Sequence, residues 1–256
     1  QLKIGDNDTA TVDVDATFAP SVENSKAGIF TFFLSEPPGF PTGNPAKADR
    51  DTTVRFEVTD LVGSGGLGTD YTIARATNIA GNLYEVIIPK FKSSADVQIV
   101  TIDDALLEGT ETLKVAITSL EAPTDSNIKI GFGSPADTMD ILDDDALTVK
   151  IVGTNKATEG SVIGDFTLST VGVGTTLAPT IVTYEVVTKL STAIEGTDFA
   201  TLTGKATIPA GASPQTTTIN IDPTGKYNDL IAEGTEVVTI KITSVTGTGI
   251  SIDSMD

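Results

Sequence analysis

Apolar and polar residues alternate in short runs along most of the chain. Ala10-Thr-Val-Asp-Val14, Gly28-Ile-Phe-Thr-Phe-Phe-Leu34 and Val54-Arg-Phe-Glu-Val58 are early examples, followed by residues 97–102 and by Leu113, Val115 and Ile117. Such alternation sends successive side chains to opposite faces of a pleated strand. A second set follows: Leu147-Thr-Val-Lys-Ile151, Gly164-Asp-Phe-Thr-Leu168, Val182-Thr-Tyr-Glu-Val186, residues 216–221, and Val238, Ile240 and Ile242. The strands are short, turn signals separate them, and no 3.6-residue period is sustained. This predicts an all-β chain built as β-sandwiches.

The two sets carry the same landmarks in the same order. Glu23-Asn-Ser returns as Glu159-Gly-Ser, Gly68-Thr-Asp-Tyr71 as Gly196-Thr-Asp-Phe199, and Ile88-Pro89 as Ile208-Pro209. Residues 102–118, Ile-Asp-Asp-Ala-Leu-Leu-Glu-Gly-Thr-Glu followed by a strand, return as residues 228–243. An internal repeat of this kind predicts two tandem sandwiches of about seven strands each. The expected division is residues 9–142 for the first, 143–145 for an acidic linker and 146–256 for the second.

Residues 1–8, Gln-Leu-Lys-Ile-Gly-Asp-Asn-Asp, match Met139-Asp-Ile-Leu-Asp-Asp-Asp145 in placing an apolar strand end before an acidic triplet. They read as the exit strand and linker of a preceding repeat. Ser254-Met-Asp256 parallels Thr138-Met-Asp140, so the second unit is expected to stop short of its own triplet, and the sequence reads as an excerpt of a longer array. The linker has no spacer, which predicts units set end to end with restricted bending. Residues 37–45, rich in Pro and Gly, form a loop where neither helix nor central strand persists.

Composition narrows the chemistry. A formal net charge of −19 repels phosphate backbones and anionic membrane surfaces, which argues against nucleic-acid binding and membrane association. There is no Cys and no His, so thiolate and imidazole ligation and Ser-His-Asp or Cys-His catalysis are excluded. No continuous apolar run reaches membrane-spanning length, and no signal pattern opens the sequence. Oxygen ligands remain. With no Trp and 10 Phe in 256 residues, the cores must rest mainly on Val, Ile and Leu.

Glu23, Asp70, Asp103, Asp104, Glu108, Glu111, Asp143, Asp144 and Asp145 all fall in loops or at strand ends. A sandwich gathers its loops at two poles, so acids from separate connections can meet at one of them. Crowded carboxylates raise one another's pKa unless a cation neutralises them. Calcium, which takes six to eight oxygens at flexible geometry, suits such a cage better than magnesium.

In this order of motifs, Glu, Gly-Thr-Asp, Asp-Asp, then Glu-Gly-Thr-Glu, both copies resemble the Calx-β domain, and the resemblance covers nearly the whole chain. It implies a seven-stranded, immunoglobulin-like sandwich with calcium at one pole. As ligands in the first unit it implies Glu23, Asp70, Asp103, Asp104, the carbonyl of Leu106, Glu108, Glu111, Asp143, Asp144 and Asp145. In the second unit Glu159, Asp198, Asp229, Glu233 and Glu236 match, but Asn228 replaces the first aspartate and the closing triplet is missing. A weaker second site is expected.

Two other calcium motifs are declined. Asp222 to Glu233 has acids at positions 1 and 12 of a twelve-residue loop, but Lys226 and Tyr227 stand where an EF-hand needs an oxygen ligand and Gly. Gly65-Gly-Leu-Gly-Thr-Asp70 occurs once, whereas glycine-rich calcium repeats work in series; loop flexibility is expected instead. Glycoside hydrolysis by paired carboxylates lacks the aromatic platforms that sugars lean on.

The expected function is non-enzymatic. It is a calcium-binding structural or adhesive repeat of a secreted or surface-displayed bacterial protein, with neighbouring repeats as partners and calcium stiffening the junction. Metal-free spacer repeats, or a module that binds a protein or glycan, are the alternatives.

Overall fold

The computed structural model describes residues 8–23, 25–36, 45–63, 66–121, 127–131, 133, 135–229 and 231–253. The exit strand expected before Asp8, most of the Pro-Gly loop and Ser254-Met-Asp256 lie outside them. Among the described residues the chain is all-β apart from one 3-10 turn at Gly225–Tyr227, and no helix is long and apolar enough to cross a membrane. It forms two compact units, each a β-sandwich of curled sheets. The first comprises Gln1–Asp104 and Glu108–Asp144; the second comprises Asp145–Asp256 and takes in Ala105–Leu107.

The first unit contains β1 (Ala10–Phe18), β2 (Ser21–Val22), β3 (Gly28–Ser35), β4 (Thr52–Val62), β5 (Tyr71–Ala74), β6 (Thr77–Ala80), β7 (Leu83–Ile88), β8 (Ser94–Thr101), β9 (Glu111–Glu121), β10 (Ile128–Ile130) and β11 (Ala136–Leu142). One sheet runs β10-β1-β3-β8-β5 and the other β2-β11-β9-β4-β7-β6. Seven of these strands have six residues or more, as the repeat predicts. The four short ones, β2, β5, β6 and β10, are the outermost members of the two sheets. Short edge strands offer little unpaired backbone to a stray partner.

Alternation in the sequence becomes alternation in burial. Along β3 Gly28, Phe30, Phe32 and Leu34 face inward. The Phe32 ring lies 4.7 Å from that of Phe56 on β4, and Phe56 lies 5.9 Å from Tyr84 on β7, centroid to centroid. Val12, Val14, Val54, Val97, Ile99 and Val115 fill the rest, all fully buried. Each such side chain contributes about 1.5–3 kcal/mol relative to exposure, an upper bound because the unfolded chain is partly collapsed.

The second unit contains β12 (Ala146–Asn155), β13 (Gly164–Val173), β14 (Thr175–Thr176), β15 (Thr180–Val186), β16 (Lys205–Ile208), β17 (Gly211–Ala212), β18 (Thr216–Ile221), β19 (Ile240–Val245) and β20 (Ile250–Ile252). Its sheets run β18-β13-β12-β20 and β16-β15-β19, with β14-β17 as a small ribbon. Val149, Leu168, Val182, Tyr184, Phe199, Ile208, Ile219, Ile221, Ile240 and Ile242 form its core.

One strand departs from expectation. The alternating run through Val238 predicts a strand beginning near Glu236, as β9 begins at Glu111, yet β19 begins at Ile240. The two strands differ in their neighbours. β9 is held between β4 and β11, whereas among the described residues β19 pairs with β15 alone.

Candidate metal centre

Several strand ends of the first unit meet at one pole, and the backbone fixes where each acid stands. The two residues of β2 pair in parallel with the end of β11, and Glu23 N–H donates to Leu142 O at 3.1 Å. That places Glu23 beside the residues that follow β11, Asp143 and Asp144. Ile102 N–H donates to Asp70 O at 2.8 Å, tying the entrance of β5 to the exit of β8, which leads into Asp103. The N–H groups of Glu108 and Gly109 both donate to Asp143 Oδ2, at 2.9 and 3.2 Å. Glu111 opens β9 and pairs with Ile141.

Two groups of carboxylates result. Glu23, Asp103 and Asp144 each offer an oxygen, and all three oxygens lie within 4.8 Å of one another; Asp70, Glu108 and Glu111 do the same. Glu23 and Asp70 are each 4% exposed and Glu111 is 7% exposed. Burial, helped by the charges of Asp143, Asp104, Glu108 and Asp144, pushes the Glu23 carboxyl up to about 7. Because Glu108 belongs to the second group yet acts on Glu23, the groups adjoin. A buried carboxyl repelled by four others needs a proton or a cation to be neutral, and the donor set is all oxygen, so the residues fit calcium.

Leu106, whose carbonyl the resemblance implies as a ligand, follows Asp103 and Asp104 by three and two residues and precedes Glu108 by two. It lies in the segment that counts with the second unit, where it pairs in parallel with Thr175. Asp145 also counts with the second unit. Asp104 enters neither group but repels Glu23.

The glycine-rich loop before Asp70 serves a purpose other than flexibility. Gly63 and Gly66 hold φ of +124° and +113°, and a Cβ at either would collide with a carboxylate, that of Glu111 or of Asp60 respectively. Gly66 N–H donates to Asp70 Oδ2. Glycine is needed here so that the backbone can approach the acids. Sequence reasoning passed over Asp60, which accepts a hydrogen bond of 2.5 Å from the Tyr71 hydroxyl. Burial and this bond hold the Tyr71 hydroxyl far above its ordinary value. The signal available was the aromatic residue closing Gly68-Thr-Asp-Tyr71, whose hydroxyl needs a partner once buried.

In the second unit Asp198, Glu233 and Glu236 bring one oxygen each within 4.8 Å of the others. Here Asp198 is half-buried and both glutamates are exposed. Desolvation comes first, then the charge of Asp198, in raising both Glu233 and Glu236. Asp198 Oδ2 accepts from Ile194 N–H at 2.6 Å, much as Asp70 accepts from Gly66. Glu159 Oε1 accepts from the Asp229 backbone N–H at 2.9 Å, and the charges of both acids add to that of Asp198 in raising Glu233. Asp222, at the start of the rejected EF-hand-like loop, is lowered by hydrogen bonds from the Thr224 hydroxyl and N–H. It caps a turn.

No family model matches the chain, and no curated protein matches it. Solved structures similar to it include the apo-form Calx CBD1 domain, at 18% identity and a TM-score of 0.38 over 54% of this chain and 99% of that one. The two-domain CBD12 of CALX1.2 is similar at 16% identity and 0.39, over 92% of this chain and 80% of that one. The adhesin InvE of Yersinia pseudotuberculosis is similar at 13% identity and 0.33, over 92% and 58%.

Proposed function

We propose that this chain is a non-enzymatic, calcium-binding pair of β-sandwich repeats from a secreted or surface-displayed protein, with its principal site at the acidic pole of the first unit. One observation carries the reading: Glu23, Asp103 and Asp144, which come from three separate connections, bring carboxylate oxygens within 4.8 Å of one another while Glu23 is buried. Asp70, Glu108 and Glu111 would hold a second ion beside them. With neither His nor Cys in the chain, an ion of this kind is bound by oxygen alone.

Calcium would act here as a structural cross-link. It would cancel the repulsion among buried acids and tie the turn after β8, the start of β9 and the end of β11 together. Asp144 leads through Asp145 directly into β12, so an ion on Asp144 would also limit the freedom of that connection. This is the sense in which calcium would stiffen successive repeats of an adhesive or structural array. The second unit, with exposed acids and Asn228 in place of an aspartate, would bind more weakly.

Calcium titration by calorimetry, paired with melting in calcium and in chelator, tests the reading. Binding only to the folded state raises stability by about 2.7 kcal/mol at a hundredfold excess over Kd. Equal melting midpoints in chelator and in millimolar calcium would overturn it.

A further inference from the structure

The turn that follows β7 is written differently from its counterpart in the second unit. In the first unit it reads Pro89-Lys-Phe-Lys92; in the second, counted from the matching Ile88-Pro89 and Ile208-Pro209, it reads Pro209-Ala-Gly-Ala212. At the third position the backbone takes a positive φ in both, +63° at Phe91 and +136° at Gly211. Glycine adopts such a φ freely, whereas phenylalanine is strained by it. Core packing does not offset the strain, because Phe91 is 64% exposed. The turn itself is tied down: Phe91 N–H donates to Ala48 O at 2.7 Å, Lys92 N–H to Pro89 O at 2.9 Å and Lys90 N–H to Asp51 Oδ1 at 2.9 Å. An aromatic ring flanked by two exposed lysines is thus held in water on a fixed support.

The turn borders an open cleft of about 690 Å³, whose lining includes Arg75, Thr77, Pro89, Lys92 and Ser94. Arg75, at φ +65°, is the other non-glycine residue with a positive φ among the described residues, so both such positions stand at one cleft. Two acids also line it, and both are engaged. Asp96 Oδ1 accepts from the Thr31 hydroxyl at 2.8 Å, and a Glu85 oxygen lies 3.9 Å from Arg55 Nε. Arg75 and Lys92 form no ion pair among the described residues. β8 separates the turn from the acidic pole by its eight residues, a span of about 25 Å. Screening acts over about 8 Å at physiological salt, so the carboxylates of that pole do not cancel the positive charge at the turn.

We infer that this cleft binds an acidic saccharide, one that carries carboxylate or sulfate groups. The Arg75 guanidinium and the Lys92 ammonium take the anionic group. The hydroxyls of Thr77 and Ser94 exchange hydrogen bonds with those of the sugar, and the Phe91 ring covers the apolar face of a pyranose. The volume lies in the range of small-ligand clefts. A flat anionic bilayer would meet the turn and leave the concave part unused. Ala210, Gly211 and Ala212 show that the repeat folds without the ring and the two charges, so the second unit lacks this site. The inference does not rest on calcium binding.

The test titrates the intact chain in chelator, so that no ion bridges the partners, and reads binding by NMR shifts. The probes are short oligosaccharides of hyaluronan, which carry carboxylate alone, of dextran sulfate, which carry sulfate alone, and of dextran, which carry neither. The expected result is binding of at least one acidic series and none of dextran. R75Q/K92Q and, separately, F91G should each weaken it by about tenfold. F91G should melt no lower than the wild type, since glycine relieves the strain, and circular dichroism should show R75Q/K92Q folded. No binding of either acidic series at millimolar concentration would overturn the inference. So would an F91G variant that binds as the wild type does, which is attraction by charge alone, or one that melts lower, which would give the ring to the fold. Capture by phosphatidylserine vesicles that depends on Phe91, without binding of the saccharides, would overturn it in favour of a membrane surface.

Discussion

The two units carry the same acids in the same order, yet their poles differ in depth. In the first, Glu23, Asp70 and Glu111 are buried and β11 locks Asp143 onto Glu108 and Gly109. In the second, Glu233 and Glu236 are exposed, and Glu159 holds the Asp229 backbone N–H. The difference teaches that the same acidic motif is buried where the strand that follows it is paired on both sides, as β9 is by β4 and β11. Among the described residues β19 pairs with β15 alone, the stretch carrying Glu233 and Glu236 is not strand, and both carboxylates are exposed.

The largest effect expected from this contrast is on calcium-dependent stability. By differential scanning calorimetry, calcium at a thousandfold excess over Kd should raise the transition of the first unit by about 4 kcal/mol. The second unit should shift less. D103N/D104N should remove most of the first shift and leave the second, while D198N should do the reverse. Equal shifts in both units would break the contrast.

The next effect is on pH dependence without calcium. Glu23 titrates near 7 in the folded chain against 4.5 as its ordinary value, so between these values the folded state binds the extra proton. Stability from this group is therefore greatest below 4.5 and declines as pH rises to 7, beyond which the penalty of its charge is complete. Urea midpoints of Glu23→Gln should lack this decline. Calcium uptake by the wild type at pH 7 should release protons, which a weakly buffered titration would detect.

A smaller effect separates two glycines. Gly63→Ala should cost about 1–3 kcal/mol, because φ is +124° and the new methyl meets Glu111, and it should weaken calcium binding. Gly196→Ala faces a nearest atom at 3.7 Å, so only its φ of +85° opposes the change and the cost should be about 1 kcal/mol. Smallest of all, Glu233→Gln in chelator should move stability by less than about 0.5 kcal/mol, since the residue is exposed. Chemical denaturation of each variant checks the ranking.

Much of this arrangement was legible in the chain because strands declare themselves by alternation. The buried positions of β3, β4 and β9 are the apolar ones of Gly28-Ile-Phe-Thr-Phe-Phe-Leu34, Val54-Arg-Phe-Glu-Val58 and the run through Leu113, Val115 and Ile117. The acids of the first pole were legible because loops of a sandwich collect at its ends. What could not be read depends on neighbours. Whether Val238 sits in a strand is decided by what lies alongside it, not by its own run. The pairing of Leu106 with Thr175, and the burial of Leu107 against Gly174 and Gly249, follow from contacts far off in sequence. Their only local hint was two leucines inside an acidic turn.

Met139 gives β11 an internal clock. Its sulfur occupies the space a side chain at position 28 would need, and the residue is 1% exposed, so the closed sheet shields it from oxidant. A dilute oxidant would therefore reach it when the strand peels away. The rate at which this one atom is oxidised would thus count the openings of the sheet that anchors Asp143 and Asp144, and a cation that holds those carboxylates would slow the count.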